Sequence, residues 1–260
     1  MMERRGAWQP WAGTPENYKI SIAELVRNGT MDAQIAGTLW AAVDDQVSFL
    51  TVAVPQNAGK TTVASAVLAL RPPETPLHFV VGETSELQRL AGERAGGYIV
   101  VGEFSRAPMP SYIWGPAVRE VFATVGHGYS LQTSLHAPGI HPAIRVITQE
   151  NRVSDADASA LKLVVYIEVF RTGRGDVARR VTEVFELDRV EDGAAVGRTL
   201  FGWHHNSDSF EKVAEPRQFG LDRGALDRRR QIIGALADSE RTSTEDVETA
   251  VADFRRTGVT

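Results

Sequence analysis

The run from Val47 to Thr62, Val-Ser-Phe-Leu-Thr-Val-Ala-Val-Pro-Gln-Asn-Ala-Gly-Lys-Thr-Thr, constrains the fold more than any other stretch of this chain. An apolar segment of strand length, rich in β-branched residues, stops at Pro55, passes a short polar loop and enters the helical run Val63 to Leu70 through Gly59-Lys60-Thr61-Thr62. This predicts strand, loop and helix in immediate succession. Pro55 biases Val54 toward extended geometry, so Val54 can finish the strand, and Asn57 is a residue type that tolerates positive φ inside the loop.

Such a turn suits phosphate. Backbone N–H groups of Asn57, Ala58, Gly59, Lys60, Thr61 and Thr62 are available to an anion, and the helix dipole adds partial positive charge. Lys60 supplies a full charge to the β- and γ-phosphates, and the Thr61 hydroxyl a ligand for Mg²⁺. The full pattern G-x-x-x-x-G-K-[ST] would have glycine where Val54 stands, and the plain alternative for Lys60 is a surface lysine at a helix start.

Two further buried strands are expected at Leu77 to Val81, ending in Gly82-Glu83-Thr84, and at Tyr98 to Val101, ending in Gly102-Glu103. A fourth runs from Tyr129 to Leu135 and ends at His136. Ligands gather at the carboxyl ends of parallel strands, which makes Glu83, Glu103 and His136 candidate catalytic residues. Glu103 is the candidate second Mg²⁺ ligand, Glu103 or Glu83 the group that orients water, and His136 a hydrogen-bond partner of the γ-phosphate.

Around this centre, Ser21-Ile22-Ala23-Glu24 has capping-box spacing, and a second helix is expected from Thr30 as N-cap to about Val43. Residues 112 to 125 read as helical. Strands at 162–171 and 177–187, joined by Thr172-Gly173-Arg174-Gly175-Asp176, read as a hairpin. Beyond about Asp208 the composition turns charged and helical, with helices expected at 223–236 and 244–255 and with Arg228-Arg229-Arg230 as a solvated face. The alternation of strands and helices predicts an α/β, three-layer αβα sandwich with a small helical C-terminal module. The expected divisions are an N-terminal arm and linker helices over 1–45, with Trp8 and Trp11 in the arm, a nucleotide-binding domain over 46–208, and the helical module over 209–260.

Composition narrows the partners. Lys and Arg number 28 against 33 Asp and Glu, a net charge of −5, so no chain-wide attraction to nucleic acid or anionic lipid is expected. With no cysteine there is neither a disulfide framework nor a thiolate metal site, and no apolar run reaches membrane-spanning length. The first residues lack an apolar signal core, so a cytoplasmic protein is the expectation.

With these pieces in order, the chain resembles the type II/type IV secretion ATPase superfamily, the tight-adherence pilus and type IV secretion motors in particular. Val54 to Thr62 stands in the Walker A place and Gly82-Glu83-Thr84-Ser85-Glu86-Leu87 in that of the acidic box. Ile99-Val100-Val101-Gly102-Glu103 is similar to the Walker B strand, and Gly126-His127-Gly128 through Leu135-His136-Ala137 to the histidine box. The resemblance covers about residues 20 to 205 and implies a RecA-like P-loop fold. It also implies ATP and Mg²⁺ as ligands, secretion or pilus apparatus proteins as partners, and a homo- or hetero-oligomer. The chain departs from the family pattern at Val54, at Gly82, in a shortened arginine-bearing segment over Gln88 to Gly97, and at Phe104-Ser105-Arg106, where the arginine is shifted by one. The family's N-terminal domain has no counterpart beyond the arm, so a weakened closed hexamer is expected. Two functions follow from the resemblance: a motor-type ATPase that binds ATP and turns it over slowly, or a degenerate scaffold or regulatory subunit of such an apparatus.

Overall fold

The computed structural model describes residues 20–55, 57–109, 111–171 and 175–257. The expected arm with Trp8 and Trp11, and the turn residues Thr172, Gly173 and Arg174, lie outside the described residues. Helices α1 (Ile22–Arg27) and α2 (Ala33–Asp44) lead into β1 (Phe49–Ala53) and α3 (Lys60–Leu68). Then follow β2 (Leu77–Val80), α4 (Thr84–Glu93), β3 (Tyr98–Val101), the short β4 (Glu103–Phe104) and β5 (Tyr112–Ile113), α5 (Pro116–Val125) and β6 (Ser130–His136). Helix α6 (Ile140–Arg145), a π-helical turn (Val146–Glu150) and α7 (Asp155–Ala158) lead to β7 (Leu163–Arg171), β8 (Val177–Glu191), β9 (Ala194–His204) and β10 (Ser209–Lys212), and α8 (Arg223–Asp238) and α9 (Thr244–Thr257) close the chain.

One mixed sheet runs in the order β10-β9-β8-β7-β1-β6-β3-β2. Strands β7, β1, β6, β3 and β2 are parallel, and β7 to β10 antiparallel. Every residue of β1 is buried, as its continuous apolar run requires of a strand covered on both faces. Phe49 and Ala53 face a core built with Leu39 and Trp40 of α2, Val63 and Val67 of α3, Ile233 of α8 and Val251 of α9. Leu50 and Val52 face the opposite core, with Leu87 of α4, Val118 and Phe122 of α5 and Ile144 of α6. Helices therefore cover both sides of a central sheet.

The structure moves several expected boundaries. Ser21 does cap α1, its hydroxyl accepting the Glu24 amide at 3.1 Å, but α2 is capped by Asp32, which accepts the Ile35 amide at 2.8 Å. The Thr30 carbonyl instead accepts the Val181 amide at 2.7 Å, tying the turn to β8. The 112–125 segment opens with the two-residue β5, and its helix begins only at Pro116, because Gly115 at φ +65° breaks the chain ahead of it. β9 and β10 are not in the sequence reading. The missed signal for β9 is Asp192-Gly193, both at positive φ, the two-residue turn that closes its hairpin with β8.

Arg229 and Arg230 do not form a solvated face. Arg230 is 3% exposed, donating to Glu215, Asp227 and Thr38, and Arg229 grips Asp44. The cause is close packing of α8 on α2, where a Cβ on Gly37 would lie 2.6 Å from the Arg230 backbone nitrogen. Once α8 sits that near, its basic residues meet the acids and hydroxyl of neighbouring segments instead of water.

Candidate functional site

The site grows from the carboxyl end of β1. Beyond it the backbone turns through Asn57 at φ +60° and Gly59 at φ +94°, the left-handed geometry foreseen for Asn57, and α3 starts at Lys60. No described side chain caps α3, whose N-cap is Gly59 itself. Asn57 to Thr62 line a cleft of about 970 Å³ together with Glu103, Tyr112, His136 and Arg179.

Three polar groups meet at its floor. Lys60 and Glu103 are 6% and 4% exposed, and Lys60 Nζ stands 3.2 Å from Glu103 Oε2. His136 reaches the same point because β6 pairs with β1 in the register Ala53 to His136. Its Nε2 lies 3.0 Å from Lys60 Nζ and 3.3 Å from Glu103 Oε1. Nδ1 lies 2.8 Å from the Val54 carbonyl oxygen, which can only accept, and this assigns the proton to Nδ1. Nε2 then faces both the Lys60 ammonium and the Glu103 carboxylate, and Lys60 stands between imidazole and carboxylate. Glu103 is placed by β4, which pairs with β6 on one side and β5 on the other. Tyr112, opposite Glu103 in β5, has its phenol pKa raised by burial and by the Glu103 charge.

Burial lowers the Lys60 pKa below 10.5, and the Glu103 carboxylate only partly opposes this. The unfolded chain then holds the Lys60 proton to higher pH than the folded one. Between the lowered folded value and 10.5, stability therefore rises with pH, the burial cost of the ammonium disappearing as it deprotonates. Anion binding at Lys60 should weaken in that window, below the pH at which a surface lysine discharges. Thermal-shift titrations with Mg-ATP from pH 7 to 10.5 test this; affinity that is flat across the range would contradict it.

Of the remaining candidates, Thr61 and Thr62 are half-buried in the cleft. Glu83 is not brought to Lys60: it is exposed at the N-cap of α4, makes no side-chain capping bond and lies outside the cleft lining. It follows β2, and β3 and β6 intervene between β2 and β1. Glu86, not Glu83, folds back, its carboxylate accepting the Val81 amide at 3.2 Å. The shifted Arg106 also stays off the cleft floor, with its guanidinium 4.8 Å from the Trp114 ring centroid and 4.0 Å from Glu150. Sequence reasoning missed Tyr112 and Arg179. Arg179 comes from β8, far along the chain, and donates to the Asn57 carbonyl at 3.1 and 3.3 Å. No local pattern marks it.

The chemistry of the donor set suits a polyphosphate: a left-handed glycine turn, an uncapped helix start and a buried ammonium in one cleft. Among the described residues no cluster of three or more His, Cys, Asp or Glu could hold a metal by itself. No helix among them is long and apolar enough to cross a membrane.

No protein-family model matches the chain. It is 24% identical over 215 residues to the uncharacterized protein MJ0900 of Methanocaldococcus jannaschii, a match spanning 73% of this chain and 38% of that protein. The chain thus spans well under half the length of this curated relative. Among solved structures it is similar to the VirB11 ATPase of the Brucella suis type IV secretion system, in complex with sulphate. That likeness has 17% identity and a TM-score of 0.40, over 57% of this chain and 50% of that one. It is also similar to the ATPase DotB of Yersinia pseudotuberculosis, with 10% identity and a TM-score of 0.43 over 82% of this chain and 60% of the other. For DotB of Legionella pneumophila the values are 11%, 0.40, 83% and 54%. What the site of this chain can do is accordingly read from its own residues.

Proposed function

We propose that this chain binds ATP with Mg²⁺ and hydrolyses it slowly, as a RecA-like P-loop relative of the secretion and pilus motor ATPases. The observation that carries the reading is the buried Lys60 ammonium at the start of α3, facing Glu103 and His136 at the ends of neighbouring strands. The resting ion pair keeps a cation in a place that would otherwise expel it, and a phosphate takes over the role of the carboxylate when nucleotide arrives. The amides of Asn57 to Thr62 would cradle the phosphates, and Thr61 and Glu103 would hold Mg²⁺. The ion's part is to neutralise phosphate charge. His136, held at Nδ1 by the Val54 carbonyl, would donate to the outer phosphate through Nε2–H. In this reading residues 46–208 form the nucleotide-binding unit, its sheet extended past the expected boundary by β10, and α8 and α9 form a helical module; the partners are secretion or pilus apparatus proteins in a homo- or hetero-oligomer.

The second reading, a scaffold that binds nucleotide poorly, is favoured by Val54 in the glycine place and by Arg106 held at Trp114. A thermal-shift titration separates the two. Ligand at 100 times its Kd stabilises the folded state by about 2.7 kcal/mol, a rise of several degrees in a domain of this size. Wild type should show that rise with Mg-ATP, and Lys60→Ala and Thr61→Ala should lose most of it. Absence of any shift for wild type at millimolar ATP decides for the scaffold.

A further inference from the structure

Three cations line the cleft among the described residues, and two are neutralised. Lys60 pairs with Glu103, and Arg180 pairs with Asp208, its Nε and Nη2 each 2.7 Å from a carboxylate oxygen. Arg179 has no carboxylate partner among the described residues; its contacts are the two donations to the Asn57 carbonyl. Its Cδ lies 3.3 Å from the position a Cβ on Gly59 would take, so the side chain crosses directly over the left-handed turn that opens α3. The strand beneath it is firmly set: Arg180 is locked on Asp208 and stacked on Phe170, and the Val181 amide is bonded to the Thr30 carbonyl.

From this geometry we propose that Arg179 is a nucleotide-binding residue that contacts the polyphosphate from the side of the Asn57–Gly59 turn; the inference rests on the ATP-binding reading above. Guanidinium offers five N–H donors, and one carbonyl engages only two of its nitrogens. The rest of the fork stands at the phosphate loop with its charge uncompensated, and phosphate oxygens match that fork in charge and spacing. The bond to Asn57 pre-orders the side chain, so little rotamer freedom remains to be lost when the anion arrives. The β7–β8 hairpin thereby contributes to the site a cation that the motif order of the chain does not reveal.

The test is Mg-ATP binding by calorimetry at several salt concentrations for wild type, Arg179→Ala, Arg179→Gln and Lys60→Ala, with the ligand-free melting temperature of each as a folding control. Glutamine can still donate to the Asn57 carbonyl but carries no charge. If Arg179 contacts the polyphosphate, Ala and Gln variants both lose affinity by about 10- to 100-fold, the worth of one charged hydrogen bond, and their salt dependence is shallower than wild type. A Gln variant that binds like wild type, with the same salt dependence, would show that Arg179 only holds the loop and would overturn the proposal. Unchanged affinity in Arg179→Ala overturns it as well, while Lys60→Ala still losing binding leaves the ATP-binding reading standing. Unchanged affinity in Lys60→Ala removes both.

Discussion

Glu103→Gln is expected to cut phosphate release from Mg-ATP by about 10²- to 10⁴-fold, the usual worth of a positioned general base, while binding survives. Glu103 is the only carboxylate lining the cleft among the described residues, so no neighbour there takes over the handling of water. Binding of ATP without Mg²⁺, where the loss of Glu103 as an ion ligand plays no part, should even tighten. In the variant, the Lys60 ammonium is buried without its anion, and the ATP phosphates replace what was lost. The ligand-free protein then melts lower and its ATP-induced rise is larger than in wild type. Wild-type turnover is itself expected to be slow, because a correctly placed arginine contributes about 10³ to 10⁵ in related phosphoryl transfers and Arg106 is held at Trp114 and Glu150. The contact proposed for Arg179 would compensate only if it strengthened in the transition state, since one made equally in both states raises affinity without raising turnover. Single-turnover phosphate release on both proteins is the measurement. Equal rates would remove Glu103 from the chemistry, and wild-type rates of many turnovers per second would refute the slow-hydrolysis expectation.

Asp44→Ala is expected to destabilise the fold by about 3 kcal/mol, near the lower end of what breaking a buried ion pair costs. Asp44 ends α2, and its side chain, 11% exposed, accepts from Arg229 of α8 through Oδ2 and from Arg255 of α9 through Oδ1. A carboxylate at a helix C-terminus opposes the helix dipole, so these two cations are what make it favourable there. Arg229 also lies 4.6 Å over the Phe254 ring, and Phe254 meets Trp40 edge-on at 5.0 Å. Removing the acid leaves two partly buried guanidinium groups with fewer acceptors where three helices join. Urea unfolding should show Asp44→Ala and Arg255→Ala to be non-additive, the double variant losing less than the sum. A loss below about 1 kcal/mol would place the pairs with ordinary surface salt bridges.

The strands that form the floor of the site were legible because each is an apolar run with a clear stop. The expected ranges around β1, β2, β3 and β6 match the observed ones to within about two residues at each end. The hairpin of β7 and β8 was legible for the same reason. β9 and β10 were not: half-exposed strands next to charged segments lack a continuous run, and the informative signal for β9 was the Asp192-Gly193 turn instead. Arg229 and Arg230 misled because charge pattern along one helix says nothing of which neighbours a glycine such as Gly37 will admit.

By itself the sequence determined the strand–loop–helix unit from Phe49 to Leu68, the positive φ of Asn57 and the presence of polar groups at strand ends, since all of these follow from local propensity and from runs of neighbouring residues. Which of those groups meet was decided only in the tertiary structure. Glu83 and Glu103 look equivalent as Gly-Glu pairs after apolar strands, yet strand order sets β2 at the edge of the sheet and inserts β6, flanked by β4, beside β1. Neighbouring strands lie about 4.8 Å apart, so a carboxylate two intervening strands away cannot touch Lys60, whereas one on β4 can. The same holds for Arg179, brought to Asn57 by the antiparallel return of β8 on β7. Sheet order and register are properties of the whole chain, and no window of the sequence contains them.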